Sequence, residues 1–424
     1  RLYDRALTDA EVAALAGNDP IAPILAIAPD KRNAKQKTAL TIHYLNTIDK
    51  EYQSLTAEKQ KAQSELTALT KTKITSMIMG DQGKMRPTYI LERGHYSHPR
   101  KDEVIKPGVP AFLPPLPKGA PKNRLGLAQW LTRADHPLTA RVAVNRYWSL
   151  LFGKGIVKTV SDFGTQGELP SHPELLDWLA LRFIEDDWNV QRFAKHILTS
   201  HAYRQSSKIT PDLLDKDPGN RLLARGPRYR LDAEIIRDQA LRLSGLLVPT
   251  IGGKGVLPYQ PPNIWEPVGF GSSNTRYYKQ GKGDDLYRRS LYTFLKRTAP
   301  APFMASFDAP NREQSCTVRG RSNTPMQALQ LMNDVQHVEA ARNLAQRILK
   351  EGGAKDEERI QWAWRTVTSR RPGPDEARII TDVLNGHRIR YAEDLDAAKQ
   401  LITYGESVPD KELAPNELAA WTLV

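Results

Sequence analysis

Cysteine is nearly absent from this chain, which has one, Cys316, among 424 residues. A single cysteine excludes an internal disulfide framework, a zinc site built from thiolates and a C-x-x-C-H haem attachment within these residues. Long apolar runs are missing as well. None approaches the roughly 20 residues that a helix needs to span a bilayer, so we predict no membrane span.

The usual signals of a complete chain and of phosphate-binding enzymes are also lacking. There is no initiator methionine, and the final LAPNELAAWTLV stops partway through an amphipathic helical pattern, so we expect a piece of a longer protein. GGKG at Gly252 is not followed by Ser or Thr, and DFG at Asp162 lacks the other kinase motifs. Neither segment therefore predicts nucleotide chemistry.

Positive charge is in excess, with a net charge of +13. Residues 276–321 hold ten Lys and Arg against four Asp and Glu. Such a balance favours polyanionic partners, either nucleic acid, anionic lipid or sulfated and carboxylated glycans, although a solvated basic face is the simpler alternative. No zinc finger, helix-turn-helix or RNP-type motif is found, so we expect no nucleic acid partner.

The patterning predicts a mainly α fold in four parts. Residues 1–17 end a strand and add a short helix, and residues 18–85 form a linker and a long helical arm. Residues 86–122 give a short β segment and a Pro-rich linker, with a first strand expected just before them in ITSMIMG. Residues 123–424 form a helical-bundle domain.

The arm is predicted as one helix from about Lys31 to Lys73, an arm or hairpin that spaces domains. Its apolar positions alternate at spacings of three and four, as in a coiled coil, with one lysine among them. They are Leu45, Ile48, Tyr52, Leu55, Lys59, Ala62, Leu66 and Leu69.

Several helix boundaries in the main domain carry explicit signals. Ser171 and Glu174 have the spacing of a capping box. Thr324 begins a helix that we expect to end near Leu349, and two further helices are expected near 356–369 and 374–393. After a Gly/Pro-rich loop, LYRRSLYTFLKR is predicted to resume the bundle.

The basic segment before Thr324 suits an anion site. Free N–H groups at a helix start attract anions, and guanidinium groups grip carboxylate, sulfate or phosphate in a bidentate way. Asp308 and Glu313 offer the alternative of structural salt bridges, which we favour slightly. The candidate ligand-binding residues are Arg312, Arg319, Arg321, Asn323 and Thr324, with Trp265 and Tyr277 as nearby aromatics that stack on sugar rings or pack the loop.

Candidate catalytic groups are few. Positive charge around Cys316 favours a reactive thiolate, but no histidine is near in sequence, so a buried inert cysteine is the preferred interpretation. His201 is a candidate general base, with helix capping as the alternative role, and Asp308 is a candidate catalytic carboxylate.

Glu234 and Asp238 lie one helical turn apart, and we expect neighbouring arginines to compensate their negative charges. The donors in RGHYSHPRKDE lack helical spacing, so no metal site is predicted.

Several runs that occur in order along the chain resemble the planctomycete surface and cytochrome-associated family, which is characterised by domain of unknown function fifteen-fifty-three. The resemblance covers about residues 86–424. Its motifs are HPLTARVAVNRYWSLLFGKGIV, SDFGTQGELPSHPELLDWLA, AYRQSS, RGPRYRLDAEIIRDQAL, DDLYRRSLYTFLKR, FDAPNRE and NTPMQALQLMND. Residues 1–17 resemble the tail of a laminin-G or concanavalin-like sandwich.

The resemblance implies a compartment and neighbouring domains, and no catalytic residues. Relatives of this kind are large exported proteins, so it implies an extracytoplasmic location in the periplasm or at the cell surface. They often carry a cytochrome-c-like module, so haem c is implied only for sequence upstream of this chain. The upstream domains of the same chain are then expected partners.

Together these features favour an extracytoplasmic module that binds or degrades anionic polysaccharide. One alternative is a structural or docking module for an upstream cytochrome-c-like domain. Another is a hydrolase that uses Asp308, His201 or Cys316.

Overall fold

A computed structural model describes residues 5–8, 11, 12, 17, 20–73, 75–81 and 85–424. Most of the segment interpreted as a sandwich tail lies outside these described residues. The chain divides into two compact units, Arg1–Lys106 and Pro107–Val424. Helices dominate the described residues, which confirms the prediction of a mainly α fold.

The described part of the first unit is built mainly from α-helices and one hairpin. The helices are α1 (Ala22–Leu25), α2 (Ala34–Thr47) and α3 (Lys50–Thr72). The hairpin pairs β1 (Thr88–Leu91) with β2 (Pro99–Ile105) in antiparallel register, with Thr88 opposite Ile105.

The predicted single helical arm is wrong, because the chain breaks between Thr47 and Lys50. The carboxylate of Asp49 accepts a hydrogen bond of 2.9 Å from the Tyr52 amide and so starts a new helix. Neither α2 nor α3 has a buried residue, and Leu66 on the expected seam is 63% exposed.

The expected strand in ITSMIMG is also wrong, since residues 75–80 form no strand. Strand β2 was missed because its sequence, PRKDEVI, is polar and exposed on nearly every position and so carries no alternation signal.

The second unit contains thirteen α-helices. They are α4 (Arg124–Leu131), α5 (Thr139–Phe152), α6 (Pro173–Glu185), α7 (Val190–Leu198), α8 (Pro211–Lys216), α9 (Ala233–Ser244), α10 (Pro302–Ser306), α11 (Pro325–Asn333), α12 (Val335–Glu351), α13 (Asp356–Thr368), α14 (Pro374–Glu393), α15 (Leu395–Ile402) and α16 (Pro415–Thr422). None of the helices in the described part of the chain has the length and apolar character needed to cross a bilayer.

The two largest hydrophobic clusters of this unit each pack several helices together. The first lies between α5, α6 and α7, where Trp148, Phe152 and Phe183 are buried. The second joins α12 to α16 around Leu384, Leu418 and Trp421. A cleft lies beside the first cluster, at the carboxyl end of α5.

Two helix-boundary predictions differ from the structure, while the helices near 356–369 and 374–393 are confirmed as α13 and α14. The helix from Thr324 ends at Asn333, because the Asp334 side chain accepts from the Gln336 amide and starts α12. Helix α6 is preceded by His172, with no side-chain cap, since Ser171 bonds the Ile156 carbonyl instead.

The segment LYRRSLYTFLKR does not resume the bundle. It forms isolated bridges and short 3-10 turns, Gly283–Leu286 and Ser290–Tyr292. The guanidinium of Arg237 donates hydrogen bonds to the carbonyl oxygens of Leu286 and Arg288, at 2.8 and 2.9 Å. In a helix, these oxygens would accept from backbone N–H groups one turn later.

Candidate anion-binding site

A carboxylate fastens the base of the basic loop, residues 309–321. Asp308 accepts hydrogen bonds from the backbone amide of Ser322 at 2.8 Å and from its hydroxyl. Arg230 donates to the same carboxylate at 2.5 Å. Burial acts to raise the pKa of Asp308, but the bonds from Ser322 and the charge of Arg230 outweigh it and hold that pKa below its usual value. Asp308 therefore has a structural role in closing the loop.

We expect Asp308→Asn to destabilise the protein by about 1–3 kcal/mol at neutral pH, because three donor groups, two on Ser322 and one on Arg230, lose a charged acceptor. Folding lowers the pKa of Asp308, so its stabilisation is present above the unfolded-state value and is lost as pH falls through the folded-state value. The gap between wild type and variant in urea unfolding should therefore shrink between pH 7 and pH 3. Asp382→Asn, on an exposed face of α14, is the control. A gap that stayed constant with pH would contradict this role.

Two of the three candidate arginines are held by the first turn of α9. Arg319 donates to Glu234 at 2.6 Å and lies 3.5 Å from Asp232. Arg312 lies 3.6 Å from Glu234. Burial alone would lower the pKa of Arg319, but these carboxylates raise it. Structural salt bridges thus occupy both arginines, with Glu234 and Asp232 as partners in place of the expected Asp308 and Glu313.

Arg321 differs from them, since no carboxylate pairs with it among the described residues. Its guanidinium lies over the ring of Tyr229, 4.4 Å from the ring centre, and donates to the Gly153 carbonyl at 3.0 Å. The Tyr229 hydroxyl donates in turn to the Leu150 carbonyl at 2.5 Å. Arg321 and Tyr229 therefore close the carboxyl end of α5, where a cation is favoured.

The backbone at this helix end requires glycine. Gly153 has φ +79°, and a Cβ atom there would lie 2.6 Å from the Tyr229 ring. The next residues are fixed by the buried amide of Asn145, which donates to the Val157 carbonyl and accepts from its N–H at 3.0 and 2.9 Å. This clamp presents Lys154 and Gly155 in a defined position.

Two adjoining lobes open around this segment. The first has a volume of about 280 Å³ and is bounded by residues 218–229 and by the start of α6. The second has a volume of about 440 Å³ and is bounded by α5 and the basic loop. Both are lined by Gly153, Lys154, Gly155 and Arg321, which we call the ridge.

The two lobes are strongly basic. Eight cationic side chains and one carboxylate, Asp232, line them. Lys158 and Arg221 are near Glu168, Arg319 is near Glu234, and Arg225 is bound by the carbonyls of Leu213 and Pro218. The remaining four, Arg146, Lys154, Arg228 and Arg321, have no carboxylate within 4 Å among the described residues, although the charge of Lys154 helps to lower the pKa of Asp217.

The two aromatic candidates lie away from the lobes. Trp265 is 3% exposed and packs against Tyr278 and Phe294, so it has no face free for a sugar ring. Tyr277 is 54% exposed and lies near Arg276, but it lines neither lobe.

The remaining candidates are not brought together. Asn323 and Thr324 are exposed and line neither lobe; Thr324 precedes α11, and its N–H donates to Gln327 Oε1 at 3.3 Å. The side chain of His201 is exposed, and no hydrogen-bond partner is found for it in the described part of the chain.

The expectation that Cys316 is buried is wrong. Its side chain is exposed, lines the second lobe and donates a hydrogen bond to the Val318 carbonyl at 3.2 Å. Of the three catalytic candidates, only Cys316 lines a lobe.

Sequence reasoning missed the residues that build most of this site. Arg146, Lys154, Arg228 and Tyr229 come from segments far from the basic loop along the chain. The available signals were Gly-Lys-Gly directly after a helix and the cluster of cations in RGPRYR. The side chains of Ser171 and His172, joined at 3.0 Å, also line the first lobe.

Comparison with known proteins supports the family resemblance. Residues 123–384 match the family model PSD1, described as protein of unknown function (DUF1553). No curated protein and no solved structure matches the chain. The match to residues 123–384 covers more than half of the chain and includes both walls of the cleft. This chain is therefore a member of the PSD1 (DUF1553) family.

Proposed function

We propose that the second unit binds anionic polysaccharide, sulfated or carboxylated, in the two basic lobes. The observation that carries this proposal is the set of four cations in one continuous cleft, none of which forms an ion pair within 4 Å in the described structure. A cluster of like charges is unfavourable in the absence of counter-charge, and a bound polyanion supplies that counter-charge.

The contrast among the arginines supports a ligand at Arg321 in particular. Arg312 and Arg319 have carboxylate partners within the fold. Arg321 is held by a ring and one carbonyl, which orient its guanidinium without neutralising it. A guanidinium that is oriented in advance loses less entropy when it binds an anion.

The lining of the lobes favours a polymer without bases. Nucleic acid binding to single strands depends on aromatic faces on which bases stack. The aromatic residues here offer none: Trp148 and Phe152 are buried, and Arg321 covers a face of Tyr229. Charged groups on a polysaccharide need only the cations.

We also propose that this unit is located outside the cytoplasm. The family resemblance implies exported proteins, and an extracytoplasmic module would meet anionic glycans there. A docking role for an upstream cytochrome-c-like domain and a hydrolytic activity stay predictions.

The test is a panel of sulfated, carboxylated and neutral polysaccharides, with DNA as a further polyanion, measured by thermal shift and by calorimetry near 0.15 M salt, where the Debye length is about 8 Å. We expect one anionic glycan to bind, and Arg321→Ala to weaken its affinity by about 10-fold or more, since a charge-assisted hydrogen bond contributes about 1.5–3 kcal/mol.

Arg378→Ala is the matched control, because it removes the same charge from a side chain that is 66% exposed on α14. It should leave affinity within about 2-fold. Equal binding of every polyanion, DNA included, or equal effects of the two variants, would contradict the proposal.

A further inference from the structure

The two lobes are joined at the ridge, so a ligand in one lobe adjoins a ligand in the other. Gly153, Lys154, Gly155 and Arg321 line both. The first lobe, at about 280 Å³, and the second, at about 440 Å³, each lie near the lower end of the roughly 300–1,000 Å³ of small-molecule pockets. Each lobe is therefore sized for a small unit, and together they suit a chain of such units.

The ridge keeps hydrogen-bond donors available. A guanidinium has five N–H groups, and in the described structure Arg321 uses one of its donors, toward the Gly153 carbonyl. An ammonium has three, and Lys154 donates to the Gly219 carbonyl at 3.2 Å. The remaining donors of both side chains are free for an anionic group at the junction of the lobes.

Each lobe also has one exposed cation of its own. Arg228 lines the first lobe only and Arg146 lines the second only. Both are exposed, and neither has an ion pair within the described residues. Free positive charge is therefore placed at three successive positions, which are Arg228, the ridge and Arg146.

We propose that the ligand is a segment of at least two charged sugar units, one in each lobe, with an anionic group between them on the ridge. This inference rests on the proposed function and specifies it further. It requires a repeating anionic chain, because a single charged sugar reaches only one lobe and part of the ridge. Binding sites linked in this way gain affinity when one ligand occupies both.

The test is a length series of one sulfated glycan that binds the wild type, from mono- to di- and tetrasaccharide, measured by calorimetry. We expect affinity to rise by about 10-fold or more from mono- to tetrasaccharide. Arg146→Ala and Arg228→Ala should each lower the affinity for the tetrasaccharide by about 5-fold or more. At most one of the two variants should lower the affinity for the monosaccharide, because a single sugar occupies only one lobe. Arg378→Ala again serves as the control for lost charge.

The outcomes separate this inference from the proposed function. If affinity is independent of length, or if either Arg146→Ala or Arg228→Ala behaves like the control, the two-lobe inference is wrong. The proposed function still stands in that case, provided that Arg321→Ala weakens binding. If no anionic glycan binds the wild type at all, both are wrong.

Discussion

Replacing Arg237 with methionine is expected to lower the free energy of unfolding by about 3–5 kcal/mol, because a buried hydrogen-bond network is broken. Arg237 is 3% exposed and donates to four acceptors, which are Gln336 Oε1, Ser290 Oγ and the carbonyls of Leu286 and Arg288. Methionine fills much of the same volume but donates nothing, so buried acceptors lose their partner. Burial lowers the pKa of Arg237 to about 10, because the charged form is disfavoured away from water.

Urea unfolding at pH 7 measures this loss, and Arg242→Met on the same helix is the matched control. Arg242 is exposed, so its substitution should change stability by no more than about 0.5 kcal/mol. A change below about 1 kcal/mol for Arg237→Met would mean that segment 286–292 is held by other contacts.

The second large effect is expected at the buried pair Glu339 and Arg342, in which the side chains are 0% and 1% exposed. Glu339 accepts from the Tyr287 hydroxyl at 2.8 Å and from the Ser407 amide at 2.7 Å, and Arg342 donates to the Ser407 carbonyl at 2.7 Å. Removing either charge leaves the other buried without compensation. We therefore expect Glu339→Leu and Arg342→Leu each to cost about 3–5 kcal/mol.

The double variant tests whether the two costs are linked. Because it leaves no lone buried charge, its destabilisation should fall short of the sum of the single variants by about 0.5–3 kcal/mol. Urea unfolding of all four proteins gives this coupling energy. Strict additivity would contradict the assignment of these residues as a compensating pair.

Local signals in the sequence predicted the parts of the fold that depend on local contacts. Thr324, Pro325 and Gln327 mark a helix start within four residues, and α11 begins at Pro325. Helices α13 and α14 were also predicted; both have acidic residues in their first turns, and α14 begins with a proline.

Contacts distant in sequence decided the segments that were mispredicted. Residues 286–297 have an apolar pattern compatible with a helix. However, Arg237, about 50 residues earlier, donates hydrogen bonds to the carbonyl oxygens of Leu286 and Arg288. The break at Asp334 was local, yet Asp can lie inside a helix, and the sequence did not show that its side chain would cap α12.

The candidate site was predicted only in part for the same reason. The basic loop and its three arginines were recognised from composition. Which of them is free depends on Glu234 and Asp232, which lie about 80 residues away, and on Tyr229 and Gly153, which are further still. No spacing rule connects these positions, so the distinction between Arg319 and Arg321 emerged only from the folded chain.

The central claim, that the basic lobes bind anionic polysaccharide through Arg321, is tested most directly by charge reversal. Arg321→Glu and Arg378→Glu change the net charge equally, but only the first places a carboxylate on the ridge. With the sulfated or carboxylated glycan that binds the wild type, we predict a loss of affinity of about 100-fold or more for Arg321→Glu and less than about 3-fold for Arg378→Glu. Equal losses in the two variants, with both proteins folded, would contradict the account.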